Sequence, residues 1–215
     1  ILQKVERGEL HFETMIKIND AYRTNSFGEL YKTENNELPL KIIFEKMLKE
    51  SDNTAFNILR SNITREDLNF FLQYSGYYNN ENPEAQNITN ELVNTKSIYG
   101  LFSSLYLSTV FNAENSEYIL TLLTDTLFDI KTLAQLPKEV IISQKFGFAH
   151  NNEKDYFHSC GIMYITESKI FYCVMTEDLP QEESQIIIAT IVKTIYQYIT
   201  EIRTQLDEYK EANLN

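Results

Sequence analysis

The sequence has 215 residues, with 19 Lys and Arg against 31 Asp and Glu and a formal net charge of −12. This length suits one domain with a substantial core and is short for two. The negative charge repels phosphate backbones and anionic membranes, so nucleic acid is not an expected partner, and the longest apolar runs fall short of the ~20 residues of a membrane span.

Residues 1–8 carry the pattern of a helix end. Gly8 stands where a C-cap glycine closes a helix, and no N-cap residue precedes the stretch. We therefore expect the sequence to begin inside a helix, with the front part of the domain absent.

Apolar residues at helical spacing predict a helical layer in the first 127 residues. The predicted helices cover residues 38–50, 53–59, 64–74, 95–111 and 116–127. The polar residues 77–90, rich in Asn and Glu, are predicted to form a surface loop.

The pattern changes after Pro137. Three segments rich in β-branched and aromatic residues, 140–148, 156–166 and 169–176, are typical of antiparallel strands. A long amphipathic helix from Gln181 then covers one side of the sheet, with its apolar face at Ile188, Ile191, Val192, Ile195, Ile199, Ile202 and Leu206. This order predicts a single α+β domain with a helical layer, an antiparallel sheet and a C-terminal helix packed on the sheet.

The tripeptide Ser51-Asp52-Asn53 joins two predicted helices. The first and third side chains can project into a cleft, where they would relay a proton and hold an amide, while the middle one turns back toward the protein. The alternative is ordinary capping, with Ser51 as the N-cap of the second helix. Taken alone, the tripeptide favours capping.

Lys145, Phe146 and Gly147 lie near the end of the first predicted strand. A lysine on an apolar strand, followed by a glycine that lets another backbone approach, is typical of a binding site. The alternative is a lysine that protects an edge strand and a glycine at a bulge. Taken alone, the motif favours that structural interpretation.

Metal and cofactor sites are not predicted. The histidines lack the spacing of metal ligands and stand at His11, His150 and His158. The two cysteines, on neighbouring predicted strands, make no zinc pattern either.

Cys160 and Cys173 are predicted to be free thiols under the closing helix. An even-length turn near residues 167 and 168 would pair Ile162 with Cys173 and Cys160 with Met175. The cysteines would then be diagonal neighbours, which are usually too far apart to bridge.

Together, the Ser-Asp-Asn junction and a Lys-x-Gly strand about 90 residues later resemble two of the three motifs of the class A β-lactamases and penicillin-binding serine hydrolases. Residues 47–59 resemble the family's Ser-Asp-Asn segment, and residues 5–10 the end of its nucleophile helix. Residues 158–164 and 171–176 resemble its last two strands. The resemblance spans nearly the whole chain in the right order.

The resemblance implies roles for the first motif. Ser51 would pass a proton to the leaving nitrogen, Asn53 would bond the substrate's amide side chain, and Asp52 would hold the loop. Ser51, Asn53 and Lys145 are therefore expected to converge on one cleft between the helical layer and the edge of the sheet.

The resemblance also implies roles for the second motif. Lys145 would attract the substrate carboxylate and tune the Ser51 hydroxyl, Gly147 would let substrate lie against the strand, and the Phe148 N–H would form half of an oxyanion hole. Phe146 departs from the family, which usually has Thr or Ser there to bind the carboxylate.

Two further departures concern catalysis. No serine of the sequence begins a Ser-x-x-Lys motif, so the nucleophile is absent from these 215 residues. The loop at 77–90 contains Glu81 and Glu84 but no Glu-x-x-Leu-Asn of the kind that deacylates penicilloyl enzyme. A solvated acidic loop is the favoured interpretation.

The predicted function is a penicillin-recognising serine hydrolase acting on β-lactams or D-Ala-type peptide amides, slow or peptidase-like and inactive as the given fragment. The alternatives are a catalytically dead domain that binds a partner or cell-wall peptide, and an unrelated α+β interaction domain. The expected location is extracellular or the cell envelope.

The resemblance implies two further N-terminal strands, the first paired with the strand at 169–176. We therefore expect that apolar edge to be covered by the missing N-terminal segment or by another chain.

Overall fold

The computed structural model describes residues 1–74, 94–151, 153–166 and 168–213. The predicted loop at 77–90, with Glu81 and Glu84, lies outside the described residues. The chain divides into two compact units, Ile1–Leu127 with Ser143–Phe146 and Phe128–Ile142 with Gly147–Asn215. The single-domain assignment stays a prediction.

The elements confirm the predicted α+β class. The helices are α1 (Leu2–Glu6), α2 (Leu40–Glu50), α3 (Asn53–Ser61), α4 (Arg65–Tyr74), α5 (Thr95–Tyr106), α6 (Ala113–Leu122), α7 (Ile130–Leu133) and α8 (Gln181–Asn213). The strands are β1 (Met15–Lys17), β2 (Glu37–Pro39), β3 (Ile141–Asn151), β4 (Lys154–Ile165) and β5 (Ser168–Glu177). β1 and β2 form a small antiparallel sheet, and the larger sheet has the order β3-β4-β5.

Helix α1 ends at a glycine, as predicted. Gly8 has φ +72° and donates its N–H to Val5 O at 3.0 Å, while Glu9 donates to Lys4 O at 2.9 Å. These two bonds form a Schellman motif, which satisfies the last carbonyls of the helix.

The core of the first unit forms around α2. Ile43 and Phe44 of this helix are buried, each contributing about 1.5–3 kcal/mol of hydrophobic stabilisation. Phe12 and Tyr118 pack on the Phe44 ring, and the Tyr118 hydroxyl donates to Glu45 at 2.9 Å. Burial and this acceptor raise the pKa of Tyr118, so the hydroxyl keeps its proton and the bond.

The short elements β1, β2 and α7 are missing from the sequence prediction. Each strand has three residues, too few positions for alternation to show, and α7 has four, little more than one turn. The two strands form by pairing with each other across distant positions, such as Met15 opposite Pro39.

In the second unit, β4 and β5 pair in a register that corrects the cysteine prediction. Ile165 is opposite Ser168, and Cys160 is directly opposite Cys173, joined to it by a disulfide. The predicted free thiols are therefore wrong. The register differs by two residues from the predicted one, and such a shift keeps every side chain on its face, so alternation could not exclude it.

The disulfide also lies on the opposite face from the one predicted. Thr176 is opposite Phe157, and its hydroxyl donates to the Phe157 carbonyl at 2.7 Å and lies 2.9 Å from the Ser184 hydroxyl of α8, which marks the helix-facing side. Because side chains alternate along a strand, Cys160 and Cys173 point away from α8.

The disulfide gives a testable prediction. We expect unreduced protein to be about 2 Da lighter than reduced protein, since two thiol hydrogens are lost on bridging, and to resist alkylation until reductant is added. Cys160→Ser is the matched control, because it should leave Cys173 open to alkylation without reductant. Alkylation of both cysteines in unreduced, folded wild type would contradict the directly opposed register.

Helix α8 buries only the start of its predicted apolar face. Ile188 and Val192 are 0% exposed, whereas Ile191 is 38% and Leu206 is 51% exposed. The helix packs on β4 and β5. Its C-terminal half extends beyond the turns that contain the buried Ile188 and Val192. The apolar period is correct, but the predicted extent of burial is too long.

Candidate active site at Ser51 and Lys145

Ser51 and Asp52 form the junction between α2 and α3. Ser51 closes α2 in the left-handed conformation, with φ 56° and ψ 30°, which costs a non-glycine residue about 1–2 kcal/mol. Asp52 is the N-cap of α3 and accepts the Ala55 N–H at 2.8 Å. Capping by Ser51, the alternative interpretation, is therefore wrong, and its hydroxyl is available for other contacts.

Asp52 ties the junction to a preceding loop. The side chain is 0% exposed, and its second oxygen accepts the Leu30 N–H at 2.8 Å. Gly28, with φ +82°, passes over this carboxylate so closely that a Cβ would lie 2.0 Å from Oδ2. Only glycine meets both requirements, a left-handed backbone and no side chain.

Gly28→Ala is expected to lower the free energy of unfolding by about 2 kcal/mol, because alanine is strained at positive φ and its methyl displaces Asp52. Chemical denaturation measures the change. Gly8→Ala is the matched control, since Gly8 also has positive φ but no described atom within 4 Å of an added Cβ. Equal losses of unfolding free energy in the two variants would show that the clash with Asp52 does not add to the cost of the positive φ.

The segment that follows α6 contacts the backbone of both candidate motifs. Leu123 accepts the Gln144 N–H at 2.9 Å, which fixes the strand residue before Lys145. Four residues later, Leu127 donates its N–H to Lys49 O at 3.1 Å, near the end of α2. One short segment thus holds the backbone on both sides of the candidate site.

Lys145 donates from Nζ to Ser51 Oγ, so these two side chains are in direct contact, as predicted. The ammonium also lies 3.3 Å from Phe146 O and 4.8 Å from the centre of the Phe146 ring. Among the described residues, no acidic side chain forms an ion pair with it. Burial lowers the pKa of Lys145 to about 8, because a charge removed from water is destabilised.

Phe146 is buried rather than directed into open space. It is 5% exposed, and its ring centre lies 5.9 Å from that of Phe27. Gly147 and Phe148, the next two residues, belong to the second compact unit. No described atom lies within 4 Å of a Cβ added at Gly147, and Phe148 is 37% exposed.

Asn53 contacts a loop that sequence reasoning missed. Its Nδ2 donates to Ser26 Oγ at 2.9 Å, and its backbone N–H donates to Phe27 O at 3.0 Å. Gly28, two positions after the small polar residues 24–26, was the available signal for a tight loop, but nothing in the sequence indicates which helix the loop meets.

The arrangement supplies a polarised hydroxyl and an amide group on one helix junction. An ammonium that donates to a serine hydroxyl can orient it for proton transfer, and partial burial strengthens that interaction. No cluster of metal-binding side chains occurs in the described ranges. The helices seen in those ranges are too short or too polar to cross a membrane.

Solved structures of similar fold include PBP-A, with a TM-score of 0.76 at 17% identity, covering 93% of this chain and 76% of that one. The β-lactamase of Sphaerobacter thermophilus gives 0.76 at 16% identity, covering 93% and 78%. The chromosome-encoded β-lactamase of Vibrio parahaemolyticus gives 0.74 at 15% identity, covering 93% and 80%. At these identities the likeness establishes the fold.

No curated protein sequence is significantly similar to this chain. The family model described as "Beta-lactamase enzyme family" matches residues 1–199. This match covers both motifs and every strand of the larger sheet. The chain belongs to the beta-lactamase enzyme family.

Proposed function

We propose that Ser51 and Lys145 serve an acyl-serine hydrolase reaction on β-lactams or D-Ala-type peptide amides. The observation that carries the proposal is the direct Lys145–Ser51 contact between residues 94 positions apart, in a chain of this family. Neither capping nor edge protection requires that contact.

The proposed roles follow from the chemistry of each group. Ser51 passes a proton to the leaving nitrogen, and Lys145 attracts the substrate carboxylate while orienting the Ser51 hydroxyl. Asn53 bonds the substrate amide. Gly147 leaves room for substrate beside the strand, and the Phe148 N–H is one donor of an oxyanion hole.

The reaction needs a nucleophile from outside these 215 residues, because none of their serines begins a Ser-x-x-Lys motif. In the fold relatives, a PBP-A mutant is described as an acyl-enzyme complex with penicillin G. We expect the complete protein to form the same kind of adduct.

Turnover is expected to be slow or peptidase-like. Phe146 offers a buried ring where the family usually has a hydroxyl for the carboxylate, so Lys145 holds the anion with one donor fewer. Phe146 and the absent nucleophile motif also support a second candidate, a catalytically dead domain that binds such ligands reversibly.

The proposed setting is the cell envelope or exterior, where small β-lactams and peptidoglycan peptides occur. Strand β5 pairs with β4 on one side, and no other described strand pairs with it. We expect its other edge to be covered by a further strand of the same protein or of another chain, since an open apolar edge recruits partners.

The test is intact mass spectrometry of the complete protein incubated with penicillin G. The proposal predicts a mass gain of one penicillin, slowed by Ser51→Ala and unaffected by Ser61→Ala, whose hydroxyl bonds Ile58 O within α3. Reversible, Lys145-dependent binding without an adduct would support the binding domain. Neither adduct nor binding would contradict both candidates.

A further inference from the structure

The end of α6 and the segment that follows it hold strand β3 through two buried residues. Ser143 donates its hydroxyl to Leu120 O at 2.7 Å, and Gln144 donates its N–H to Leu123 O at 2.9 Å. Ser143 is 1% exposed and Gln144 is 4% exposed. Because water does not reach these buried groups to replace the bonds, the strand is fixed directly before Lys145.

Gln144 is held by its side chain as well as by its backbone. Its Nε2 donates to the Thr126 hydroxyl at 3.2 Å, in the segment that follows α6. Neighbouring side chains of a strand point to opposite faces, so Gln144 affects Lys145 through the shared backbone and not by contact with the ammonium. The bond to Thr126 therefore fixes the backbone from which the Lys145 side chain extends.

Thr126 also lies beside the bond that holds the other motif. Leu127, the next residue, donates its N–H to Lys49 O at 3.1 Å, two positions before Ser51. Thr126 thus lies between the contact with the end of α2 and the contact with β3. A change at this residue alters the position of Lys145 relative to Ser51, which the ammonium contacts directly.

We propose that Thr126 is a positioning residue that holds Gln144, and through it the Lys145 ammonium, against the Ser51 hydroxyl. The inference rests on the proposed function of Lys145 and Ser51. Without the Thr126 hydroxyl, the buried Gln144 amide loses this acceptor, and the strand backbone shifts as the amide turns toward another partner. Lys145 then meets Ser51 in a less favourable geometry, which slows the reaction because catalysis depends on precise placement of the reacting groups.

The consequence is slower acylation of the complete protein by penicillin G. Thr126→Val removes the hydroxyl, keeps the branched shape and should slow acylation roughly three- to tenfold, the value of one hydrogen bond. Gln144→Met should slow it similarly, because it removes the same bond from the other side, whereas Thr126→Ser should retain the wild-type rate. An unchanged rate in Thr126→Val or in Gln144→Met would overturn the proposal.

Thr124→Val is the matched control, because its hydroxyl lies on the same segment and donates only to nearby Thr121 O, at 2.8 Å. Its acylation rate should not change, and a loss equal to that of Thr126→Val would show a general loosening of the segment instead of a specific role. In a Lys145→Met background, Thr126→Val should change the rate by less than about twofold, since no ammonium remains to be positioned. The same slowing in both backgrounds would contradict action through Lys145.

A measurement without substrate separates this inference from the proposed function. The Lys145 ammonium lies 4.8 Å from the centre of the Phe146 ring, so the NMR shifts of the adjacent methylene report its position. In the complete, ligand-free protein these shifts should change in Thr126→Val and stay wild-type-like in Thr126→Ser and Thr124→Val. Unchanged shifts in Thr126→Val would refute the positioning role by themselves. If the shifts change but penicillin G forms no adduct with wild type, the acyl-transfer function fails while Thr126 still positions Lys145, and the inferred effect on acylation fails with that function.

Discussion

Asp52→Ala is expected to lower the free energy of unfolding by about 3–5 kcal/mol, the largest loss among the single variants considered. The carboxylate is fully buried and accepts the N–H groups of Leu30 and Ala55, each at 2.8 Å. Alanine leaves these two buried N–H donors without an acceptor, at a cost of about 1–3 kcal/mol each, and also removes a helix cap. Chemical denaturation monitored by circular dichroism measures the loss.

Asp125→Ala is the matched control for Asp52. Its carboxylate is 76% exposed and pairs with Lys49, and such surface pairs contribute at most about 1 kcal/mol. A loss below 1 kcal/mol for Asp52→Ala as well would show that the two backbone N–H groups find other partners, and that the loop is not held by the carboxylate.

Acylation by penicillin G is expected to fall as the pH rises through about 8, because burial lowers the pKa of Lys145 to that value. Below this pH the ammonium is charged and attracts the substrate carboxylate. Above it the amine is neutral and the attraction is lost. The second-order acylation rate reports ionisation in the free enzyme, so it should follow this pKa.

Lys145→Arg separates charge from geometry, because a guanidinium stays protonated throughout this range. The variant should acylate more slowly than wild type at neutral pH, since its planar group does not reproduce the contact with Ser51, but should lack the fall near pH 8. A wild-type rate that does not change across this range, or the same fall in Lys145→Arg, would show that another group controls the profile.

The parts predicted from sequence are those set by local periodicity. The Ser-Asp-Asn junction follows an amphipathic helix whose buried positions, Leu40, Ile43 and Phe44, recur at helical spacing. The three strands of the larger sheet were predicted within a few residues of their ends, because their β-branched and aromatic runs are long enough to show. The contact of Ser51 with Lys145 was predicted only through the family resemblance.

The remaining features depend on contacts that periodicity does not encode. The register of β4 against β5, which places Cys160 opposite Cys173, differs from the predicted one by a shift that keeps all faces unchanged. The loop at Ser26 and Gly28 meets Asp52 and Asn53 across more than 20 positions. Single-sequence patterns carry no signal for such pairings.

The most direct test of the central claim is a double-mutant cycle on the acylation rate of the complete protein. If Ser51 and Lys145 act as a pair, Ser51→Ala and Lys145→Met should each slow acylation by roughly 100-fold, and the double variant should be little slower than the worse single variant. Rates unchanged in both single variants, or losses that multiply in the double variant, would contradict a functional pair at this site.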